Sequence, residues 1–188
     1  YQQVQGDQYA ALYSETVTVQ LENDFLPFIY PNQYVNFTPD SKASQLALSL
    51  IDEDTVDVDA LQQIYDYVVS NLTYDYEKAD TVTTGYLPDV DETLKTGTGI
   101  CFDYAALTTA MLRSCDIPCK LQIGYAGDIK HAWIDVYIRS KGWVNQAVSF
   151  KGDTWTLMDP TFDSNSDDKE AIQDYIGDES NYTVQFTR

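Results

Sequence analysis

Three residues whose side chains can together perform acyl-transfer chemistry lie far apart in this sequence. They are a cysteine at position 101, the single histidine at 131 and an aspartate at 159. Cys101 follows the Gly-rich residues 96–99 and opens a helical pattern, where free backbone N–H groups and the positive end of the helix dipole favour a thiolate. A thiolate that attacks an amide needs a proton donor for the leaving amine, and imidazole suits this task near neutral pH. The pattern predicts a Cys101 nucleophile served by His131.

An imidazole that moves protons also needs an acceptor at its second ring nitrogen. Alternation along the strand predicted to begin at His131 directs His131 and Trp133 to one face. Asp159 follows a later β-type run, residues 154–158, which the hairpin-like stretch 143–155 separates from the histidine strand, and the proline after Asp159 stops the strand. Asp159 can therefore orient His131 from a neighbouring strand.

The elements that must hold these groups follow from the periodicity of apolar residues. Helical spacing predicts helices that begin at Asp40 or Ser41, near Asp57 and at Cys101. The polar stretch 74–99 is expected to be mostly loop. Alternating or β-branched runs predict strands at residues 16–21, 120–125, 131–138, 143–150, 154–158 and 182–187. The result is an α+β fold in which the Cys101 helix is buried centrally beside an antiparallel sheet.

Composition restricts the class of protein. The 188 residues suit one domain with a substantial core, and 44% hydrophobic content argues against disorder. Thirty acidic residues against eleven basic ones give a net charge of −19, which repels nucleic acid and anionic bilayers. No apolar run approaches the roughly 20 residues of a membrane span. We expect no nucleic-acid partner and no membrane insertion.

Charge and reactive residues are unevenly distributed. Residues 1–94 carry a net charge of −15, residues 95–150 carry +2 and residues 151–188 carry −6. All cysteines, the histidine and all tryptophans lie within residues 101–155, so chemistry is expected there. The start at Tyr1, the acidity and the 15 tyrosines predict an exported bacterial protein, extracellular or at the cell surface.

Four ordered motifs cover roughly residues 60–163. They are Gly97-x-Gly99-x-Cys101-x-Asp103-Tyr104-Ala105, Met111-Leu112-Arg113-x-Cys115-x-Ile117-Pro118, His131-Ala132-Trp133 and Asp159-Pro160-Thr161-Phe162. Together they resemble the transglutaminase-like superfamily of papain-related thiol enzymes. The resemblance implies a core in which the helix bearing Cys101 packs on an antiparallel sheet bearing His131 and Asp159. It also implies that Cys101 is the nucleophile, His131 the general base and acid, and Asp159 the residue that orients His131.

The resemblance implies a thiol-dependent amide-bond enzyme, either a cysteine peptidase or a transglutaminase-like acyltransferase, which forms a thioester on Cys101. It would act on a peptide or protein and need no cofactor. The alternative is a catalytically silent binding or cell-surface module on the same fold. Within a single domain, residues 1–55 are predicted to cover a core of residues 56–163, and residues 164–188 to extend it.

Further site residues are predicted around the nucleophile. Gly99, Tyr104 and Trp133 are candidates for substrate contact, although Tyr104 and Trp133 also suit core positions. The oxyanion hole should use the Cys101 backbone N–H and one upstream donor. The candidates for that donor are Tyr74 and Tyr86, on the loops that approach Gly99.

The other candidate metal or redox sites are weaker. Cys115 and Cys119 fit core thiols, with a disulfide or metal pair as the alternative. One histidine and no Cys-x-x-Cys pair argue against zinc, so no metal site is predicted. Residues 163–174 have the oxygen spacing of a calcium loop, but Asp168 replaces the glycine of its sharp turn, which favours a solvated acidic loop. Asp116 likewise stands where the family has glycine after the cysteine helix, and aspartate tolerates that left-handed conformation.

Overall fold

The helix that begins at Cys101 is the centre of the molecule. The computed structural model describes residues 2–5, 8–10, 12–52, 54–145, 148–151, 154–157 and 182–188. Its α-helices in these ranges are α1 (Lys42–Leu50), α2 (Asp57–Asn71), α3 (Tyr76–Thr81), α4 (Val90–Thr96) and α5 (Cys101–Ser114). The three predicted helices are confirmed as α1, α2 and α5. None of the helices in the described ranges combines the length and apolar composition that crossing a bilayer requires.

The expectation of mostly loop between residues 74 and 99 is wrong, because α3 and α4 lie there. Each helix begins at an aspartate whose side chain accepts a backbone N–H of the first turn. Asp75 accepts from the N–H of Lys78 at 2.8 Å, and Asp89 accepts from the N–H of Glu92 at 3.0 Å. In this polar segment, side-chain capping rather than apolar periodicity fixes the helices.

An antiparallel four-stranded sheet carries the histidine. The described strands are β1 (Gln2–Gln5), β2 (Gln8–Ala10), β3 (Thr73–Tyr74), β4 (Thr98–Gly99), β5 (Cys119–Ala126), β6 (Ile129–Ile138), β7 (Gly142–Val144), β8 (Val148–Lys151), β9 (Thr154–Leu157) and β10 (Tyr182–Thr187). The main sheet has the order β10-β5-β6-β7, while β8 and β9 pair as a separate hairpin. The predicted run 143–150 therefore divides between two sheets.

The predicted strand at residues 16–21 is wrong. No strand forms there, and its apolar side chains are exposed: Val17 by 69% and Val19 by 70%. Alternation suits a half-buried strand, but a strand also needs a paired neighbour for its backbone groups. In the described part of the chain this segment has none.

The core forms around α5, which is buried on every side from Asp103 to Arg113. Helices α1, α2 and α4 and strands β5 and β6 all pack against it. The alternate β6 residues Ala132, Ile134 and Val136 belong to this core. The α+β class and the central cysteine helix are confirmed.

The C-terminal end of α5 closes with two backbone hydrogen bonds. The Ile117 N–H donates to the Leu112 carbonyl at 3.1 Å, and the Asp116 N–H donates to the Arg113 carbonyl at 3.1 Å. This is the Schellman arrangement, which requires a left-handed residue. Asp116 adopts it with φ of 57°, so the expected tolerance of aspartate at this turn is confirmed.

The C-terminal strand β10 is an edge strand of the main sheet. It pairs antiparallel with β5, and the backbone of Arg188 continues the pairing through hydrogen bonds of 2.8 and 2.9 Å with Leu121. The buried guanidinium of Arg113 donates to the carbonyl of Cys119, to that of Tyr30 at 2.9 Å and to that of Arg188 at 3.0 Å. Within the predicted C-terminal extension, residues 182–188 thus join the main sheet.

Candidate active site

Cys101 is the first residue of α5. Ile100, at the N-cap, has extended backbone (φ −98°, ψ 174°), so the chain enters the helix abruptly at the cysteine. The side chain of Cys101 is partly exposed. The N–H of Asp103 donates to the Ile100 carbonyl at 2.8 Å. The N–H groups at the very start of a helix generally lack a partner within it, and such groups can stabilise an oxyanion.

A short parallel bridge fixes the approach to Cys101. Strands β3 and β4 pair Thr73 with Thr98 and Tyr74 with Gly99. The N–H of Thr73 donates to Gly97 at 2.9 Å, and the N–H of Asp75 donates to Gly99 at 2.9 Å. The residues before the cysteine are thereby tied to the end of α2.

His131 lies on β6, opposite Gly124 of β5. The strand begins two residues before the histidine, at Ile129. The His131 side chain is largely buried, at 6% exposure, and its ring stacks against that of Trp133 with centroids 6.4 Å apart. The imidazole is therefore confined, as a group that transfers protons in a defined direction must be.

Cys101 and His131 line the same cavity. Its volume is about 840 Å³, and its walls come from the start of α5, the loop before α4, β5, β6 and the end of β10. Residues 30 positions apart in the sequence are thus brought to one open cavity. Asp159, and the acidic run 163–174, lie outside the described residues, so the orienting role of Asp159 stays a prediction.

A buried polar network holds the helix end that carries Cys101. Asp103, fully buried in the first turn of α5, accepts the Ile100 N–H at 2.8 Å and the Lys78 ammonium at 2.7 Å. The Tyr86 hydroxyl donates to its second oxygen and accepts from Lys78 at 2.7 Å. Sequence reasoning missed this network. The available signal was an aspartate at the third helical position, where a carboxylate can reach back to the N-cap N–H.

The network sets the protonation of its members. Burial lowers the pKa of Lys78, but the hydrogen bonds to Asp103 and Tyr86 outweigh it and raise the pKa overall. Burial raises the pKa of Tyr86, and its hydrogen bond to Asp103 raises it further. At neutral pH the lysine is therefore an ammonium and the tyrosine a neutral phenol, which is the arrangement that satisfies the carboxylate.

The two oxyanion candidates differ in what their hydroxyls do. Both Tyr74 and Tyr86 line the cavity. The single hydroxyl proton of Tyr86 is used on Asp103, so this residue is a poor oxyanion donor and instead anchors the helix. For Tyr74 the oxyanion role stays a prediction.

The three residues predicted to contact substrate are buried and do not line the cavity. Tyr104 is fully buried in the core and Trp133 is 1% exposed, so a ligand in the cavity reaches neither side chain without rearrangement. Gly99 is buried beneath Asp103: a Cβ at Gly99 would lie 2.6 Å from the Asp103 Cβ. The small size of Gly99 makes room for the carboxylate that anchors α5, which is a structural reason for glycine there.

The remaining cysteines are free core thiols. Cys119 is fully buried and Cys115 partly so, and neither forms a disulfide. Burial raises the pKa of Cys115 to about 11 and that of Cys119 to about 12. Both stay protonated at neutral pH and are weak nucleophiles. Among the described residues, no three Cys, His, Asp or Glu side chains are grouped to hold a metal ion.

The family and the fold of the chain have counterparts among known proteins. The family model of the transglutaminase-like superfamily matches residues 44–160. The chain is 36% identical over 30% of its length to UPF0252 protein MJ1282 of Methanocaldococcus jannaschii, of which it spans 18%.

Two solved structures are similar in fold. One is a candidate cysteine protease from Cytophaga hutchinsonii, with a TM-score of 0.59 and 22% identity, covering 89% of this chain and 48% of that one. The other is the periplasmic domain of TgpA from Pseudomonas aeruginosa bound to ethylmercury, with a TM-score of 0.50 and 19% identity, covering 70% of this chain and 48% of that one. The chain spans about half of each structure. With the family match extending over more than half of its length, the chain belongs to the transglutaminase-like superfamily.

Proposed function

We propose that this chain is a thiol-dependent enzyme that cleaves or transfers an amide bond through a thioester on Cys101. The observation that carries the proposal is the shared cavity of Cys101 and His131, in which the sulfur lies at a helix N-terminus. The 840 Å³ volume is enough for several residues of a peptide substrate. Membership of a superfamily that contains thiol enzymes supports the same chemistry.

The steps follow from the roles of these groups. His131 takes the proton of the Cys101 thiol, and the sulfur forms a bond to the amide carbon of the substrate. The carbonyl oxygen becomes an oxyanion, which the Cys101 backbone N–H stabilises. His131 returns the proton to the amide nitrogen as the C–N bond breaks, which releases an amine and leaves a thioester.

The second half repeats this chemistry with a new nucleophile. His131 removes a proton from water, or from an amine, as its oxygen or nitrogen attacks the thioester carbon. The C–S bond then breaks, and the proton returns to the sulfur. Water gives hydrolysis and an amine gives transfer. We propose hydrolysis as the main outcome because water is abundant. Asp159 is proposed to hold the imidazole in the required orientation.

The proposal also covers where the chain works. We propose an extracellular, periplasmic or cell-surface location. The acidic, tyrosine-rich composition and the fold shared with a periplasmic domain of TgpA support it. Fractionation of the source cells with an antibody against the chain tests it, and recovery in the cytoplasmic fraction alone would contradict it.

The decisive experiment compares three purified proteins on peptide and amine libraries, with products identified by mass spectrometry. Wild type should produce mass changes of hydrolysis or amine transfer, and a thioester adduct on the peptide that contains Cys101. Cys101→Ala and His131→Ala should abolish them, whereas Cys115→Ala should retain them because that thiol lies away from the cavity. Product formation that survives Cys101→Ala would contradict a thioester on Cys101, and no product from any library would favour the binding module instead.

A further inference from the structure

The cavity beside Cys101 has the opposite charge balance from the chain as a whole. The chain contains 30 acidic and 11 basic residues. The described residues that line the cavity nevertheless include Lys130 and Arg188 and no aspartate or glutamate. The described part of the cavity wall therefore carries two positive side chains and no negative one, although the protein is acidic. Such a wall favours the binding of a negatively charged group.

Backbone hydrogen bonds hold Arg188 in position, and its guanidinium lies near two aromatic rings. Its N–H and C=O pair with Leu121 at 2.8 and 2.9 Å, and its C=O also accepts from Arg113. The guanidinium carbon lies 5.0 Å from the centre of the Tyr34 ring and 5.3 Å from that of Phe186. Cation–π contacts of this kind restrict a guanidinium without using its N–H donors.

The hydrogen-bonding capacity of that guanidinium is largely unused. Among the described residues, its one hydrogen bond runs from Nη1 to the Thr187 carbonyl at 3.2 Å. Its Nε is buried and has no partner in the described part of the chain. No carboxylate there forms an ion pair with Arg188 or Lys130. A planar cation with spare donors matches the two oxygens of a carboxylate.

We propose that Arg188, assisted by Lys130, forms a carboxylate-binding subsite in the Cys101 cavity, so that the substrate is an acidic peptide. The proposal rests on the proposed function, in which the amide of that peptide is attacked by Cys101. The carboxylate is either an acidic side chain next to the reacting amide or the free C-terminus of the peptide. The apolar rings of Tyr34, Phe102 and Phe186 line the rest of the cavity and accommodate neighbouring apolar side chains.

The net charge of −19 does not remove this preference. Repulsion between distant charges is screened over about 8 Å at physiological salt. A carboxylate in contact with a guanidinium in a cavity is screened much less. The overall charge slows the approach of an acidic peptide, while the local cations hold it once bound.

Matched peptides test the subsite. Each pair differs only in glutamate against glutamine at one position flanking the cleaved amide, and a second set compares a free C-terminus with its amide. We expect kcat/KM to be roughly tenfold higher for the carboxylate member at one position, or for the free C-terminus, as a charged hydrogen bond gives. The set that shows the difference identifies the source of the carboxylate. Equal kcat/KM throughout would overturn the subsite.

Variants test whether Arg188 causes the preference for carboxylate peptides. Arg188→Gln should bring kcat/KM of the carboxylate peptide close to that of its neutral partner, and Arg188→Lys should retain part of the difference. Lys120→Gln is the matched control, because the Lys120 ammonium lies 3.8 Å from the centre of the Trp143 ring, outside the cavity. A preference that survives Arg188→Gln would overturn the assignment. Thermal unfolding checks that each variant is folded.

A binding measurement tests the carboxylate subsite independently of the proposed enzymatic activity. Calorimetry with Cys101→Ala measures the affinity of each peptide pair without turnover. Tighter binding of the carboxylate peptide, lost in Cys101→Ala/Arg188→Gln, would support the subsite even if wild type cleaves nothing. In that case the proposed function alone fails. Equal affinity of both peptides, with turnover intact, would overturn the subsite alone.

Discussion

The ammonium of Lys78 lies 2.7 Å from Oδ2 of Asp103. The same oxygen accepts the backbone N–H of Ile100, at the N-cap of the cysteine helix. Lys78 is on α3, and Asp103 is two residues after Cys101. The pair connects the helix that presents the sulfur to the polar segment that forms one cavity wall. The stability of the fold and the position of the nucleophile therefore depend on the same ion pair.

Asp103→Asn should lower the free energy of unfolding by about 2 kcal/mol, because it leaves a partly buried ammonium without its carboxylate. Urea unfolding measures the loss. In a double-mutant cycle with Lys78→Met, the two changes should be strongly non-additive. Lys95→Met, which breaks the exposed pair with Glu92, is the control and should have no measurable effect. Additive losses from Asp103→Asn and Lys78→Met would show that the two groups act separately.

Alkylation should distinguish the three thiols. With a pKa of about 11, roughly one Cys115 in a thousand is a thiolate at pH 8, and Cys119 at about 12 is still less ionised. Iodoacetamide at pH 6 to 8 should therefore modify Cys101 first, as peptide mapping by mass spectrometry would detect. His131→Ala should slow this labelling. Comparable labelling of all three cysteines would contradict the assignment of Cys101 as the nucleophile.

The free energy of unfolding should depend on pH through the ionisation of Asp57. The hydrogen bond from Arg139 lowers the pKa of Asp57 below its ordinary 3.8, more than burial raises it. A carboxyl with a lowered pKa in the folded state stabilises the fold above pH 3.8, and this contribution disappears as the pH falls through the lowered value. The difference in unfolding free energy between wild type and Asp57→Asn should be constant near neutrality and shrink below about pH 4. A difference that grows at acid pH would contradict the ion pair.

Gly124→Ala should disturb the cavity through the sheet. A Cβ at Gly124 would lie 1.9 Å from the Thr183 carbonyl oxygen, so β10 must move away from β5. We expect a loss of about 2 kcal/mol in stability and, because Arg188 directly follows β10, weaker binding of acidic peptides. Thermal unfolding and calorimetry measure the two effects. Gly142→Ala is the control, since no atom lies within 4 Å of its added Cβ and Gly142 does not line the cavity; its φ of 88° adds backbone strain without a steric clash.

Asp116→Gly should stabilise the chain. Asp116 has φ of 57°, which costs most residues about 1 kcal/mol and glycine almost nothing. The greater freedom of glycine in the unfolded chain offsets part of the gain, so we expect about 0.5 kcal/mol. Thermal unfolding measures it, with Asp116→Ala as the opposite change. A loss of stability in Asp116→Gly would indicate that the aspartate side chain contributes more than its backbone costs.

Much of the central architecture could be predicted because it depends on local patterns. The apolar spacing after Cys101 gives α5, and alternation around residues 120–125 and 131–138 gives β5 and β6. The order of the cysteine and histidine motifs gives the family. The same reasoning failed at residues 16–21, where alternation lacks a neighbouring strand, and at α3 and α4, whose starts depend on single capping side chains.

By itself, the sequence determined the acidity of the chain, its cysteine helix, the strand of its histidine and the left-handed turn at Asp116. Each depends on residues within a few positions of one another. Only the tertiary structure decided that Lys78 and Tyr86 converge on Asp103, and that β10 carries Arg188 to the cavity. These contacts join residues 17 to 25 positions apart, or strands from distant parts of the chain, so they form only once the core has packed.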